Sequence, residues 1–401
     1  MPVLRLALAG DLVLTRDLRA EADAGVRGVA ELLRGADCAI ANLEAPLHDF
    51  SSPASAAAGG LWLGADPERA RDFSWLGLTA LSRANNHAGD YGPDAMRQTD
   101  RALEKEGIAH AGTGEDLDAA RRPAFVDTPS GAVALVSCTS TFPLGSMAGR
   151  PRPPVPGRPG VSPLRRAGDR FVEPAEALAR TGLSWPELWA APRTPARERL
   201  ARAEADESPV SGQDAAEVLA SVRGARRHAA AVVVAIHAHD SGADEAEPAL
   251  AAFARACIEA GADAVAMHGP HRVRGLGWHR GRPILHGLGS QAFQPDTVPF
   301  LPEDAYRLHG LPAGAGVEDL FAARWGDGSR SFAARPEAWR GLIALVRLEQ
   351  GAATVDLVPV DLGRELGRGR RGTPRIAGEP GASFSPGRGE GPGPFRRSRE
   401  E

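Results

Sequence analysis

Short, nearly continuous apolar runs recur along the chain and predict buried strands. They cover residues 3–9, 38–43, 78–85, 132–137 and 283–288, together with one run that ends at His237 and another that ends at His268. Runs of this length with few polar positions are typical of strands covered on both faces in an α/β sheet. Residues 342–348 and 354–360 alternate apolar and polar positions instead, which predicts a half-solvated hairpin.

Helical patterns separate these runs and predict an α/β fold. They cover residues 19–35, 66–76, 93–106, 213–227 and 245–260. Pro93 suits the first turn of a helix, and Gly107 suits its end. The last two predicted helices each precede a strand that ends in histidine.

Two segments lack either pattern. Residues 142–211 are dense in proline and arginine, which predicts an irregular excursion with some helix, and a lid is one interpretation of it. From residue 363 the chain is rich in glycine, proline and arginine and has almost no apolar residues. Such a composition cannot form a core and predicts a disordered tail. We therefore expect one domain over residues 1–362 and a disordered tail over residues 363–401.

The overall charge narrows the possible partners. The chain carries 47 basic and 51 acidic residues, a net charge of −4, so no general field favours nucleic acid or an anionic membrane. The first residues do not resemble a signal peptide, and no run approaches the roughly eighteen apolar residues of a membrane span. We expect no nucleic-acid partner, no membrane span and a cytoplasmic location.

Polar clusters follow five of the predicted strands. These clusters are Asp11; Asn42 with Glu44; Asn85, Asn86 and His87; His237 with His239; and His268 with His271. Each cluster alone is typical of a turn, a helix cap or a hydrogen-bonded core residue. Together they would meet at one sheet edge, where the ligands of α/β sheets bind. Mixed carboxylate, amide and imidazole groups suit two bridged divalent ions such as manganese, iron or zinc.

From about residue 4 to residue 361 the chain resembles the CapA, or poly-γ-glutamate capsule biosynthesis, family, which belongs to the calcineurin-like metallophosphoesterase superfamily. The resemblance rests on several motifs in order. They are GDLVLTR at 10–16, ANLEAPLHDF at 41–50, ANNHAGDYG at 84–92, HAGTGEDL at 110–117, GRPGVSPLR at 157–165, HAHD at 237–240, HGPH at 268–271 and GRPILHGLGS at 281–290.

The resemblance implies a four-layer α/β/β/α sandwich with a metal site at one sheet edge. It implies that Glu44 bridges two metal ions and that His87 is the general acid. The implied metal ligands are Asp11, Glu44, Asn86, His237, His268 and His271. Residues expected in a second shell or at the substrate are Asn42, Asn85, Asp90, Tyr91, His239 and Asp240.

These features support two main hypotheses. The first is a metal-dependent hydrolase that acts on an amide or phosphoester, with γ-glutamyl polymers indicated by the family name and a small peptide or metabolite as the other option. The second is a protein that binds polymer or assists an assembly machine, in which the metal is only structural. A decayed catalytic site is a third possibility. The sequence leaves the oligomeric state open.

Overall fold

The apolar runs form the strands of a mixed α/β fold. The structure, a computed structural model, describes residues 3–166, 210–240, 242, 244–326, 328–377 and 383–384. The strands in these ranges are β1 (Leu4–Val13), β2 (Cys38–Leu43), β3 (Ala80–Ser82), β4 (Ala109–Ala111), β5 (Thr113–Gly114), β6 (Ala124–Val126), β7 (Val133–Thr139), β8 (Gly160–Val161), β9 (Ala231–His237), β10 (Ala264–His268), β11 (Leu276–His279), β12 (Arg282–Leu285), β13 (Ser290–Phe293), β14 (Arg340–Glu349), β15 (Ala352–Asp361), β16 (Arg375–Ile376) and β17 (Ser383–Phe384).

The helices begin and end where local chemistry allows. Asp23 accepts a hydrogen bond from the backbone N–H of Val26, so the first helix begins at Ala24 and not at residue 19 as predicted. Pro93 lies in the first turn of the third helix, and Gly107, with a φ of 70°, follows its end. The helices of the described ranges are α1 (Ala24–Arg34), α2 (Ala70–Leu76), α3 (Gly92–Lys105), α4 (Leu117–Ala120), α5 (Gly212–Arg226), α6 (Pro248–Glu259), α7 (Glu303–Leu308) and α8 (Val317–Trp325).

Two large sheets organise the fold. In the described residues the first has the order β16-β15-β14-β1-β2-β3-β4, with β13 also paired to β1 and β17 to β15. The second has the order β11-β12-β10-β9-β7-β6. Strands β1 to β4 run parallel, as do β7, β9, β10 and β12. The carboxyl ends of the parallel strands within each sheet therefore lie at one edge.

Three hydrophobic clusters explain why the strands are apolar on both faces. One cluster contains side chains from both sheets, such as Leu6 of β1 and Val233 of β9. A second joins the other face of the first sheet to helices, as Ala7 and Phe73 illustrate. A third joins the other face of the second sheet to α5 and α6. Burial on both faces accounts for the lack of alternation in the predicted strands.

Along strand β1 the hydrogen-bonded neighbour on one side changes from β14 to β13 next to Asp11. Its first half pairs with β14 and its last residues pair with β13. Glycines make this possible: a Cβ on Gly10 would lie 2.1 Å from the carbonyl oxygen of Gly289, and one on Gly341 would lie 2.2 Å from that of Ser290. The strand predicted over residues 3–9 thus extends to Val13, and Asp11 lies inside it.

The hairpin prediction is confirmed by β14 and β15, which pair in register from Arg340–Asp361 to Glu349–Ala352. Helices α7 and α8 were not predicted. Of the predicted excursion, residues 142–166 and 210–211 are described. The first range contains a short 3₁₀ helix, the two-residue strand β8 and isolated bridges, whereas residues 167–209 lie outside the described residues. In the ranges that the structure describes, no helix combines the length and the apolar character needed to cross a bilayer.

The predicted start of a disordered tail at residue 363 differs from the structure, because residues 364–377 pack on the domain. Arg371 pairs with buried Asp296, and its guanidinium lies 5.2 Å from the Trp325 ring. Arg16 donates hydrogen bonds to the carbonyl oxygens of Arg368 and Arg371. The segment is held by ion pairs and backbone contacts, which an apolar pattern does not reveal. Apart from residues 383–384, the remainder of the predicted tail, from residue 378, lies outside the described residues.

Candidate metal centre

The polar strand ends predicted from the sequence come together in the structure. Asp11 of β1 is paired in register with Asn42 of β2, and Glu44 follows one residue beyond β2. His237 and His268 are in register at the ends of β9 and β10. The two sheets thus supply carboxylates and imidazoles to one buried cluster.

Asp11 and Glu44 form the centre of this cluster. The Asp11 carboxylate oxygens lie 3.4 Å from Nδ1 of His268 and 3.4 Å from Nδ1 of His271. Oε1 of Glu44 lies 3.6 Å from Nε2 of His237, 3.5 Å from Nε2 of His239 and 3.6 Å from Nε2 of His271. The backbone N–H of Gly269 also donates to Asp11. Glu44 therefore lies close to three imidazoles, one at the end of β9 and two in the loops that follow β9 and β10.

The side chains of Asn42 and Asn85 hold the cluster and the turn next to it in place through hydrogen bonds. The Asn42 amide donates to Asp11 at 2.8 Å, and its nitrogen lies 3.2 Å from Nδ1 of His237. The Asn85 amide donates to the carbonyl oxygen of Leu43, and its own oxygen accepts from the backbone N–H groups of His87 and Ala88. These bonds fix the turn that presents Asn86 and His87.

Asn86 and His87 face the cluster from the first sheet. Asn86 donates to the carbonyl oxygen of Gly59, which leaves its Oδ1 buried without a hydrogen-bond donor. Nδ1 of His87 lies 2.7 Å from the Asp90 carboxylate. Asp90 is fully buried and also accepts from the backbone N–H groups of Gly59 and Leu63. Asp90 therefore fixes both the His87 ring and the loop beside it.

Burial and neighbouring charges shift the acid–base properties of the site. Burial raises the pKa of Glu44 to about 7. Burial also raises the pKa of Asp11, but the neighbouring imidazoles of His268 and His271 outweigh it and hold that pKa well below its usual range. Burial lowers the pKa of His237, and neighbouring His239 lowers it further. For His87, burial lowers the pKa but the Asp90 carboxylate raises it more.

Two overlapping groups of residues have the geometry to hold a metal ion. One is Glu44, His239 and His271, and the other is Asp11, Glu44 and His237. Within each group the candidate ligand atoms lie within 4.8 Å of one another. His239 thus approaches the cluster as closely as the predicted ligands do, although the sequence pattern placed it only in a second shell.

Two predicted site residues lie apart from the cluster. Asp240 forms a buried ion pair with Arg274, with both carboxylate oxygens 2.9 Å from Nη1. Its carboxylate also accepts from the backbone N–H of Gly242, which anchors the loop after β9. Tyr91 is buried against His48, at a ring distance of 4.1 Å, and is not part of the cleft wall.

A cleft opens above the cluster. Glu44, Asn86, His87, His239 and His271 form its floor. Its walls include Leu61, Leu63, Phe293, Phe321, Arg324, Trp325 and Phe332. Sequence reasoning missed the wall residues of α8 and the turn after it. The available signal was a concentration of aromatic residues between positions 321 and 339 in a chain with only 5% aromatic residues.

Comparison with known proteins supports the motif-based resemblance. Residues 5–295 match the model of a family described as bacterial capsule synthesis protein PGA_cap. The chain is 32% identical to the uncharacterized protein y4sH of Sinorhizobium fredii, covering 94% of this chain and 86% of that protein. It is 30% identical to a probable polyglutamine synthesis accessory protein of Mycobacterium tuberculosis, over 53% of this chain and 46% of that one. It is 21% identical to the capsule biosynthesis protein CapA of Bacillus anthracis, over 81% and 68%.

Proposed function

We propose that this chain, which belongs to the bacterial capsule synthesis protein family, is a metal-dependent hydrolase that cleaves an amide or phosphoester bond. The names of the relatives in Bacillus anthracis and Mycobacterium tuberculosis support an association with capsule biosynthesis or polyglutamine synthesis. The substrate would then be a γ-glutamyl polymer or a small molecule derived from one. Association with that pathway and hydrolysis are separate parts of the proposal.

A four-layer α/β/β/α sandwich of the metallophosphoesterase type is the architecture we propose. The hydrophobic clusters support it: one joins the two sheets, and the others join each outer sheet face to helices. In such an arrangement the metal site lies at the edge where the parallel strands of both sheets end. The in-register ends of β9 and β10, beside β1 and β2, agree with this geometry.

The observation that carries the metal proposal is the state of Glu44. Both of its carboxylate oxygens are buried and accept no hydrogen bond in the described structure, although imidazole nitrogens lie 3.5–3.6 Å from Oε1. Nε2 of His237, both ring nitrogens of His268 and Oδ1 of Asn86 are likewise buried without a hydrogen-bond partner. Because buried polar atoms normally have partners, these converging atoms fit divalent cations.

We propose that Asp11, Glu44, Asn86, His237, His268 and His271 would hold two ions of manganese, iron or zinc; Glu44 belongs to both groups of candidate ligands. His239 is a further candidate ligand from its position. The metal ions would supply positive charge to the substrate oxygen and acidify water. The raised pKa of Glu44 agrees with a carboxyl group that gives up its proton when a cation binds.

The protein's own residues would orient the substrate and move a proton. The Asp90 carboxylate accepts a hydrogen bond from Nδ1–H of His87, so Nε2 is the ring nitrogen that would protonate a leaving group in the cleft. Asn85 fixes the backbone of His87, and Asn42 fixes Asp11. These contacts hold the reacting groups in place before substrate arrives, which lowers the cost of reorganisation.

Elemental analysis of the purified protein tests the metal site. We expect one or two equivalents of manganese, iron or zinc in the wild type and their loss in the His268→Ala, His271→Ala double variant. His279→Ala is the matched control, because His279 is the last residue of β11 and pairs with Glu259 of α6, not with a residue of the cluster. A wild-type protein that neither contains nor takes up these metals would exclude the proposed centre.

Substituting His87 separates the hydrolase from the second candidate function, a non-catalytic accessory component. The name of the mycobacterial relative favours that alternative. If the protein is a hydrolase, His87→Gln should lower turnover of phosphoesters or γ-glutamyl amides by about 10²- to 10⁴-fold, because the general acid is lost. Metal content should stay unchanged. Equal turnover by the variant and the wild type would refute the acid role of His87.

A further inference from the structure

The cleft above the candidate metal ligands has an apolar wall that includes one positively charged side chain, Arg324. Leu61 and Leu63 lie on one side, and the aromatic rings of Phe293, Phe321, Trp325 and Phe332 complete the wall. Among the described residues that line the cleft, Arg324 alone is a lysine or arginine. A ligand that enters the cleft therefore meets one guanidinium group in largely apolar surroundings.

The position of Arg324 is set by helix packing. It lies in the last turn of α8, whose residues Leu320, Phe321 and Trp325 are buried. The rings of Phe321 and Trp325 pack edge to face with centroids 4.9 Å apart. This anchoring directs the partly exposed Arg324 to the same cleft as His87, and its charge acts on the His87 imidazole.

We infer that the cleft accepts a small substrate that carries an anionic group beside an apolar group, and that Arg324 binds the anion. The inference rests on the proposed function, because it takes this cleft as the substrate cleft. A guanidinium group binds a carboxylate or phosphoryl group through two parallel hydrogen bonds. The aromatic wall would cover the apolar part of the same molecule.

The same arrangement disfavours a long polyanion. A γ-glutamyl polymer carries one carboxylate in each repeat, and among the described residues that line the cleft Arg324 supplies the single guanidinium group. Carboxylates placed against the aromatic wall would lose hydration without gaining a partner. Arg324 and three of the wall aromatics lie beyond residue 295, where the match to the family model ends. The family match therefore does not cover the part of the cleft that selects the substrate.

Calorimetric binding of two phosphonates to the full chain saturated with manganese tests this inference. Phenylphosphonate carries an anion and an apolar ring, and methylphosphonate carries the anion with only a methyl group. We expect phenylphosphonate to bind more tightly. Arg324→Gln should weaken its binding by about tenfold, the effect of losing a charge-assisted hydrogen bond. Arg324→Lys should restore part of the affinity, and the matched control Arg330→Gln, an exposed arginine outside the cleft, should bind like the wild type.

A second variant tests the apolar part. Phe332→Leu should reduce the preference for phenylphosphonate over methylphosphonate and leave methylphosphonate affinity unchanged. Equal phenylphosphonate binding by the wild type and Arg324→Gln, or tighter binding of a γ-glutamyl hexamer than of phenylphosphonate, would overturn the inference. Binding that depends on Arg324 in a protein without turnover would support the inference and count against the hydrolase proposal alone.

Discussion

The buried carboxylate of Asp90 holds both the loop that contains Gly59 and Leu63 and the imidazole of His87, the proposed general acid. It accepts from Nδ1 of His87 at 2.7 Å and from the backbone N–H groups of Gly59 and Leu63 at 3.1 Å and 2.8 Å. Burial raises the pKa of Asp90, while the His87 imidazole opposes that rise. The pair thus stabilises a protonated imidazole next to a buried carboxylate, which suits an acid that must hold its proton until the leaving group departs.

Asp90→Asn should therefore change the pH dependence of turnover. Removing the carboxylate charge lowers the pKa of His87, because burial then acts without the opposing effect of Asp90. The alkaline limb of the kcat profile should move to lower pH, since the protonated form is the active one. Steady-state kinetics across the pH range would measure this shift. An alkaline limb that stays where it is in the wild type would show that His87 does not act as the acid.

Helix α8 packs against the C-terminal segment at residues 364–377. Arg371 connects them: it pairs with Asp296, next to the cleft, and lies over the rings of Trp325 and Trp339 at 5.2 Å and 5.8 Å. The backbone N–H of Phe293 also donates to the carbonyl oxygen of Gly372. Two aromatic residues of the cleft wall, Phe293 and Trp325, are thus held from behind by a segment of low apolar content.

Arg371→Leu should destabilise this part of the protein, because it removes a charged partner from a carboxylate that is 0% exposed. The loss should be on the order of 3 kcal/mol of unfolding free energy. Arg370→Leu is the matched control: its side chain is 67% exposed, and its effect should stay within about 0.5 kcal/mol. Urea unfolding followed by tryptophan fluorescence compares the two. Equal unfolding midpoints would mean that Arg371 does not brace the wall.

Across the whole molecule, the sequence predicted those features that depend on a local pattern of apolar and polar residues, namely the buried strands and the polar residues at their ends. Parallel buried strands must end at one edge, so polar residues at those ends could be expected to meet, and Asp11, Glu44, His237, His268 and His271 do meet. Arg324 and the aromatic wall could not be predicted in this way. Apart from Phe293, which ends β13, they lie on a nine-residue helix and the turn after it, and tertiary packing brings them to the cleft.

The same limit explains Asp240 and residues 364–377. The HAHD motif places Asp240 next to two imidazoles in sequence, but its carboxylate pairs with Arg274, which lies 34 positions away. The segment at 364–377 has the composition of a disordered tail, yet ion pairs with Asp296 and Asp23 hold it on the domain. Contacts between charged residues far apart in sequence leave no periodic signal.

Because of the glycines beside Asp11, loss of function on substitution does not by itself identify a residue that takes part in the reaction. Gly10, Gly289 and Gly341 contribute no reacting atom, but any side chain there would meet backbone at 2.1–2.4 Å and displace β1 or β13. A mutational survey would thus rank these positions with the metal-ligand candidates. Distinguishing the two classes requires a chemical readout such as metal content, since loss of function alone would merge the residues that react with those that only allow the strands to meet.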